Sequence, residues 1–142
     1  MTQEHKELLL KDLCARLPYN VMVDYESCIY ILNEIDPACK DINYITVRLQ
    51  DVERLMCAKN VMIENIKPYL RPMSSMTEEE KKEYYNLCIE EEREQIEFGE
   101  WITRVYYHNT IESIDWLTKH HFDYRGLIKK GLALEAPNGM YN

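Results

Sequence analysis

The sequence has no long hydrophobic run and little glycine, and each shortage excludes classes of protein. No apolar stretch approaches the roughly 18 residues that a membrane-spanning helix needs, and the opening residues MTQEHKELLLKDL lack the pattern of a signal peptide. Only four glycines occur in 142 residues, and neither a glycine-rich phosphate loop nor a GxSxG turn is present. We therefore expect a protein that is not embedded in a membrane and that lacks the signatures of the common nucleotide-binding and hydrolytic enzymes.

Paired cysteines and closely spaced metal ligands are also missing. The five cysteines are odd in number and scattered, without a CxxC pair, which disfavours both a disulfide framework and a structural zinc site. The adjacent histidines His120 and His121 point about 100° apart on a helix, so with His108 they make a poor metal site. We expect reduced thiols in the cytoplasm, no metal and no cofactor.

Negative charge is concentrated in one segment. The net charge is −8, and residues 78–100, with ten acidic and three basic side chains, contribute −7 of it. A phosphate backbone is repelled by such a field and no basic stripe offsets it, so direct nucleic-acid binding is not expected. The segment could attract a basic protein, although a solvated helix face is the simpler interpretation.

Hydrophobic periodicity in the first half predicts a helix followed by strands. Residues 2–17 repeat at helical spacing, with Thr2 as the N-cap and Pro18 as the stop. From Asn20 the period changes to two, which predicts a hairpin over 20–35 and a third strand over 42–49. With one or two further strands over 50–71, this pattern favours a small, bent antiparallel sheet such as an SH3-like barrel.

The second half predicts helices around one strand. Thr77 and Glu80 form a capping box that begins a long acidic helix running to about Gln95, although the scarcity of basic residues in its last turn leaves a strand-like continuation open. A strand over 96–108 and a C-terminal helical segment beginning with residues 111–121 follow. We predict a single α+β domain over 1–142, in which 1–72 form the helix and small barrel and 73–142 pack on them.

Tyrosine is the residue in excess, with 11 copies against two tryptophans and two phenylalanines. Several tyrosines fall in predicted connectors close to basic side chains, an arrangement that suits stacking on a flat ligand or peptide and fixing a carboxylate or phosphate. The more ordinary interpretation is that the rings cover the junction between barrel and helices. The candidate ligand-binding residues are Tyr69, Arg71, Tyr124, Arg125 and Lys129.

Two stretches, KPYLRPMSSMTEEEKKEYY (residues 67–85) and DWLTKHHFDYRGLIKKGLALEAPNGMY (residues 115–141), support a resemblance, as does the opening KELLLKDLCARLPYNVMV. The chain resembles a family of short uncharacterised proteins of gut anaerobic bacteria and their phages or mobile elements. The resemblance implies a cytoplasmic protein of anaerobic cells, possible phage origin, and no assigned activity or catalytic residue.

These observations favour a non-enzymatic binding or protein-interaction module, with a protein or a small anionic ligand as its partner. A second hypothesis is a phage-type counter-defence factor that sequesters a nucleotide signal or acts as an acidic decoy for a basic nucleic-acid-binding enzyme. The third hypothesis, a hydrolase, requires turnover that substitution of His108 or His121 abolishes. The oligomeric state is left open by the sequence.

Overall fold

The computed structural model of the protein describes residues 1–36, 45–52 and 58–141. These ranges contain three α-helices and eight β-strands, with short 3-10 turns between some of them. The helices are α1 (Gln3–Arg16), α2 (Glu78–Leu87) and α3 (Ile111–Lys119). The strands are β1 (Met22–Tyr25), β2 (Cys28–Ile35), β3 (Thr46–Asp51), β4 (Ala58–Met62), β5 (Lys67–Leu70), β6 (Ile89–Gln95), β7 (Trp101–Tyr107) and β8 (Leu134–Glu135).

Six strands form one sheet in the order β4-β3-β2-β1-β5-β8. All neighbours are antiparallel except β5 and β8, which run parallel. The predicted α+β class is confirmed. The predicted barrel is not formed by the described strands, because β4 and β8 lie at opposite ends of the sheet order and do not pair.

Two local predictions in the first half are confirmed. The side chain of Thr2 accepts a hydrogen bond from the His5 N–H and caps α1, as the sequence indicates. The β1–β2 hairpin turns at Glu26 and Ser27, both with positive φ, which is the backbone that a tight hairpin turn requires. Residues 42–44 of the predicted third strand and the cysteines Cys39 and Cys57 lie outside the described residues.

Apolar side chains from α1, the sheet and the C-terminal part form one core. Leu9 and Leu13 of α1 are fully buried, as are Val23 and Leu49 of the sheet. The core is completed by residues that follow α3, namely Leu127, Leu132 and Ala133. Burial of each large aliphatic side chain contributes about 1.5–3 kcal/mol, so this shared core ties the two ends of the chain together.

The predicted long acidic helix is wrong beyond Leu87. The capping box of Thr77 and Glu80 is present, but the helix ends where the Cys88 N–H donates to the carbonyls of Tyr84 and Tyr85. Residues 89–95 then form β6, which pairs residue for residue with the aromatic and β-branched strand β7. The strand therefore begins earlier than the strand-like continuation after Arg93 that the sequence leaves open, since cross-strand pairing offers these glutamates a partner that an isolated helical turn would not.

No helix within the described ranges is long and apolar enough to cross a membrane.

Candidate functional site

Tyr69 and Arg71, two of the predicted ligand-binding residues, are engaged inside the protein. The hydroxyl of Tyr69 donates to Asp24 at 3.4 Å. The guanidinium of Arg71 makes two hydrogen bonds to the carboxylate of Glu80, at 2.9 and 2.8 Å, and lies 4.1 Å from the centre of the Phe122 ring. Paired and stacked in this way, Arg71 holds the start of α2 against the segment that follows α3.

Glu80 has two partners, and both favour its ionised form. Its carboxylate accepts from Arg71 and also from the Thr77 N–H of the capping box. The hydrogen bonds from Arg71, with the backbone bond as a smaller contribution, lower the pKa of Glu80 below its ordinary value. A ligand anion at Arg71 would therefore have to displace a carboxylate that the fold already uses.

Arg125 forms an ionic cluster with Asp12 and Arg16, which we call the seam, and Tyr124 lies next to this cluster. Asp12 and Arg16 are fully buried and joined by two hydrogen bonds, at 2.7 and 3.1 Å. The Nε of Arg125 lies 3.2 Å from an Asp12 oxygen, within ion-pair distance but outside hydrogen-bond geometry. Tyr124 lies beside both guanidinium groups.

The seam connects α1 to the turn after α3. Arg16 donates to the Phe122 carbonyl at 2.7 Å and to the Thr118 carbonyl at 3.5 Å. Burying a charge is costly unless it is paired and hydrogen-bonded. The two fully buried charges, Asp12 and Arg16, have such partners, whereas the Nε of Arg125 has an ion-pair contact without a hydrogen bond among the described residues. Of the predicted site residues, Lys129 alone is exposed, and the seam accounts for Tyr124 and Arg125 without a ligand.

Tyr141 anchors the C-terminal segment. Its hydroxyl donates to the Tyr69 carbonyl at 2.7 Å and accepts from the Met22 N–H at 3.0 Å, and burial raises its pKa. Its ring stacks on His121, with ring centres 3.8 Å apart. His121 is buried, and desolvation, helped by the nearby charge of Arg16, lowers its pKa to about 4.

Two hollows flank the anchored segment Pro137–Met140. The larger, about 640 Å³, is bordered by Met22, Ile29 and Tyr30 of the sheet. The smaller, about 240 Å³, is bordered by Arg71 and Tyr141. Of the five predicted residues, Arg71 lines the smaller hollow and the other four line neither, so the structure does not gather them around one ligand; their role in binding stays a prediction.

A second feature is the two-stranded ribbon of β6 and β7, a separate sheet that we call the arm (residues 89–107). It begins at the end of α2 and returns to the start of α3, where the Thr110 hydroxyl donates to the Leu87 carbonyl. Between Glu90 and Tyr107 every side chain is exposed except that of Ile102, which is half-buried. Within the described ranges no third strand joins this sheet.

Large apolar side chains on the arm face solvent. Phe98 at its tip is 96% exposed, Tyr107 is 71% exposed and Trp101 is 59% exposed. Phe98 also has a φ of 71°, a left-handed conformation that is unfavourable for a bulky residue. Neither the exposure nor the backbone conformation of Phe98 is explained by packing within the protein.

Charge on the arm is unevenly divided between its strands. The arm carries six glutamates and two arginines, a net charge of −4. Four of the glutamates lie on β6, whereas β7 has Arg104 as its single charged residue. Arg104 makes an ion pair with Glu94 at 3.0 Å, and the Arg93 guanidinium lies 5.4 Å from the Trp101 ring centre.

The hydrogen-bond pattern determines which backbone groups face away from the arm. The Ile96 N–H donates to the Glu100 carbonyl and the His108 N–H to the Cys88 carbonyl. Hydrogen-bonded and non-hydrogen-bonded pairs alternate along an antiparallel ribbon. Because the pairs at the two ends are hydrogen-bonded, every second pair between them is hydrogen-bonded as well, and the residues of the remaining pairs direct their N–H and C=O groups outward. The β7 residues whose N–H and C=O point away from β6 are Trp101, Thr103, Val105 and Tyr107.

Helical periodicity does not predict the exposed arm, although the sequence contains a signal for it. The predicted strand over 96–108 is wrong at its start, because residues 97–99 form a turn and the strand begins at Trp101. Gly99 lies in that turn and adopts a φ of 78°, which favours glycine. A glycine turn before a strand of high β-propensity indicates a hairpin partner on the other side of the turn. That partner is the acidic run.

Comparison with family models, with curated proteins and with solved structures finds no match to the chain.

Proposed function

We propose that the chain is a non-enzymatic protein-interaction module and that the arm is its contact surface. The observation that carries the proposal is the set of exposed apolar residues on a ribbon that pairs with no other described strand, above all Trp101, Tyr107 and Phe98. Aromatic side chains of this kind dominate the energy of protein interfaces.

Physical considerations support a partner for the arm. An isolated two-stranded ribbon is marginally stable in water, and three or more strands or a packed helix are usually needed. Its outer edges present unpaired N–H and C=O groups that can accept another strand. A partner that covers the aromatic side chains and pairs an edge would supply the missing stabilisation.

The predicted tyrosine and arginine residues have less support as a ligand-binding site than the arm has as a protein-binding surface. Arg71 is held by Glu80, and Arg125 lies against Asp12, so an anionic ligand would compete with carboxylates of the protein itself. The described residues that border the larger hollow also include no arginine or lysine that could hold the phosphates of a nucleotide signal. Sequestration of a nucleotide therefore has less support than a protein contact.

The acidic-decoy hypothesis keeps specific support, because the β6 glutamates are displayed on an exposed strand. We expect such a decoy to bind poly-lysine in a salt-sensitive way, since exposed charges are screened over about 8–10 Å at ordinary ionic strength. Joint replacement of Glu90, Glu91, Glu92 and Glu94 by glutamine should abolish that binding. Unchanged binding would exclude the decoy.

The proposed function is tested by shortening the arm. Replacing residues 91–105 by Asn-Gly leaves Glu90 and Tyr106 as the closing hydrogen-bonded pair of a tight hairpin. Native mass spectrometry of both proteins, purified from the natural host, should show an assembly larger than the 17.1 kDa chain for the full protein and the monomer for the shortened one. The same assembly with the shortened arm, or none with the full chain, would contradict the proposal.

We place this function in the cytoplasm. Of the cysteines in the described ranges, Cys14, Cys28 and Cys88 are all free, and Cys14 and Cys28 are exposed. Thiols of this kind persist in a reducing compartment. A phage or mobile-element origin, suggested by the sequence resemblance, is compatible with that location.

A further inference from the structure

From the geometry of the arm we infer that its partner is a second copy of the same chain, and that the two copies pair strand β7 with strand β7, antiparallel about a twofold axis at Arg104. This inference rests on the proposed role of the arm as a contact surface. It joins two ribbons into one four-stranded sheet, which exceeds the three strands usually needed for a sheet with an apolar face to be stable.

The two edges of the arm differ in what they can accept. Strand β6 carries four glutamates and one arginine, and two such edges side by side would repel each other. Strand β7 (WITRVYY) has one charge, no proline and no glycine, and all its residues except Arg104 have high β-propensity. Natural sheets protect free edges with charges or proline, and by that rule β6 is protected and β7 is not.

The outward backbone groups select the register. In an antiparallel pair of identical strands, residues that exchange hydrogen bonds must both direct their N–H and C=O toward the partner. A twofold axis at Arg104 places Trp101 opposite Tyr107 and Thr103 opposite Val105 of the second copy. All four residues face outward from the arm, so the full length of β7 pairs and eight backbone hydrogen bonds form.

Side chains agree with this register. On one face Trp101 meets Tyr107 and Thr103 meets Val105, and on the other Ile102 meets Tyr106. Aromatic and β-branched partners of this kind are favourable cross-strand pairs. The two Arg104 side chains would be adjacent, but each faces Glu92 across the ribbon and has Glu94 as its ion-pair partner.

The same register separates the acidic strands. Each β6 becomes an outer strand of the four-stranded sheet, about 14 Å from the other at the usual strand spacing. That distance exceeds the screening length of about 8 Å at physiological ionic strength. The negative charges that would oppose pairing at the β6 edge therefore protect the rim of the assembly instead.

The antiparallel arrangement also concerns exposed residues beyond the strands. It points the tip of each arm, where Phe98 lies in the turn, toward the root of the other arm, where Ile111 begins helix α3. Ile111 is 79% exposed although it begins helix α3. The inference thus places two exposed apolar residues, the strained Phe98 of one copy and Ile111 of the other, at the same end of the paired strands.

Two matched proline variants test the inference on recombinant protein alone. Val105→Pro removes an outward N–H of β7, and Glu91→Pro removes an outward N–H of β6 at the residue directly opposite; neither N–H bonds within the arm. Sedimentation equilibrium should show a monomer–dimer equilibrium for the wild type and Glu91→Pro. Val105→Pro should raise the dissociation constant about 10- to 100-fold, since two hydrogen bonds of about 0.5–1.5 kcal/mol are lost in each dimer.

Cross-linking tests the register. In a background in which Cys14, Cys28, Cys39 and Cys57 are replaced by serine, Arg104→Cys places two thiols on Cα atoms about 4.5 Å apart across the axis, within the disulfide range. With copper phenanthroline as the oxidant, this variant should form a covalent dimer in much higher yield than Arg93→Cys on β6. Equal yields would overturn the register.

The outcomes separate this inference from the proposed function. A wild type that remains monomeric at every concentration, or a dimer equally weakened by Val105→Pro and Glu91→Pro, overturns the β7 dimer. If the arm is still required for a hetero-assembly in the host, the proposed function survives that result. Circular dichroism of both proline variants should match the wild type, and where Val105→Pro does not fold, Trp101→Ser with Glu92→Ser as its control replaces the pair.

Discussion

Charged and aromatic side chains occur together both in the seam and in the arm, but the two regions use them differently. In the seam, Asp12 and Arg16 are fully buried and every charge is paired inside the chain. In the arm, the glutamates of β6 and the rings of Trp101 and Tyr107 are exposed. Residue type alone therefore does not identify a functional surface, whereas it matters whether a side chain has a partner within the chain. Substitutions in the seam should therefore cost stability, and substitutions in the arm should cost association.

The largest loss of stability is expected from Asp12→Ala in the seam. It leaves Arg16 buried without its carboxylate, and removal of one partner of a buried pair usually costs about 3–5 kcal/mol. Urea unfolding followed by circular dichroism measures the change. The control in the arm is Glu92→Ala, which should change the unfolding free energy by less than about 0.5 kcal/mol. Equal effects at the two positions would remove the distinction between the regions.

Acidification should lower the free energy of unfolding of the protein through protonation of His121. This base has a folded pKa of about 4, below its unfolded value of about 6.5. As the pH falls, the unfolded chain therefore binds a proton at His121 before the folded chain does. The free energy of unfolding has its full value above pH 6.5 and decreases by up to about 3 kcal/mol as the pH drops toward 4. His121→Asn should flatten the dependence over this range, because asparagine tolerates the positive φ of this position. A wild type and variant with the same pH profile would show that His121 does not titrate in this way.

A smaller loss is expected from Tyr141→Phe. It deprives the Tyr69 carbonyl and the Met22 N–H of their bonds to the hydroxyl, and an unsatisfied buried polar group costs about 1–3 kcal/mol. Thermal denaturation should show the loss. Tyr107→Phe, in the arm, removes a hydroxyl from an exposed ring and should leave the melting temperature unchanged.

The smallest effect on stability, with a clear effect on association, is expected from Phe98→Asn at the tip of the arm. Asparagine accepts the left-handed backbone that Phe98 adopts, so the monomer should unfold at the same urea concentration or a slightly higher one. The dimer should dissociate more readily, because the variant removes a large apolar side chain that the antiparallel arrangement directs toward the other copy. Sedimentation equilibrium and urea unfolding on the same sample decide the point; a destabilised monomer would mean that Phe98 serves the fold.

Parts of this architecture could be predicted from the sequence because the deciding interactions are local. The caps at Thr2 and at Thr77, and the β1–β2 hairpin, depend on residues within a few positions of each other. The sheet order depends on distant pairings, such as that of β5 with β8, to which periodicity is blind. The capping box at Thr77 and the helical spacing of the apolar residues after it predict a helix as far as Gln95, but pairing of residues 89–95 with β7 overrides that local pattern.

The candidate site was predictable to a lesser degree. Residue type and a place in connectors select Arg71 and Tyr124 from the sequence, but Tyr69 lies within β5. The partners of Arg71 and Arg125, which are Glu80 and Asp12, are set by tertiary contacts. The exposed arm depends on what does not pack against it, and a single sequence does not reveal that.

Hydrogen exchange resolved to single amides, at low and high protein concentration, tests the pairing of the arm most directly. The outward amides of Thr103 and Val105 on β7 should become protected as the concentration rises, whereas the outward amides of Glu91 and Arg93 on β6 should exchange rapidly throughout. Equal exchange at the two edges at every concentration would contradict the account.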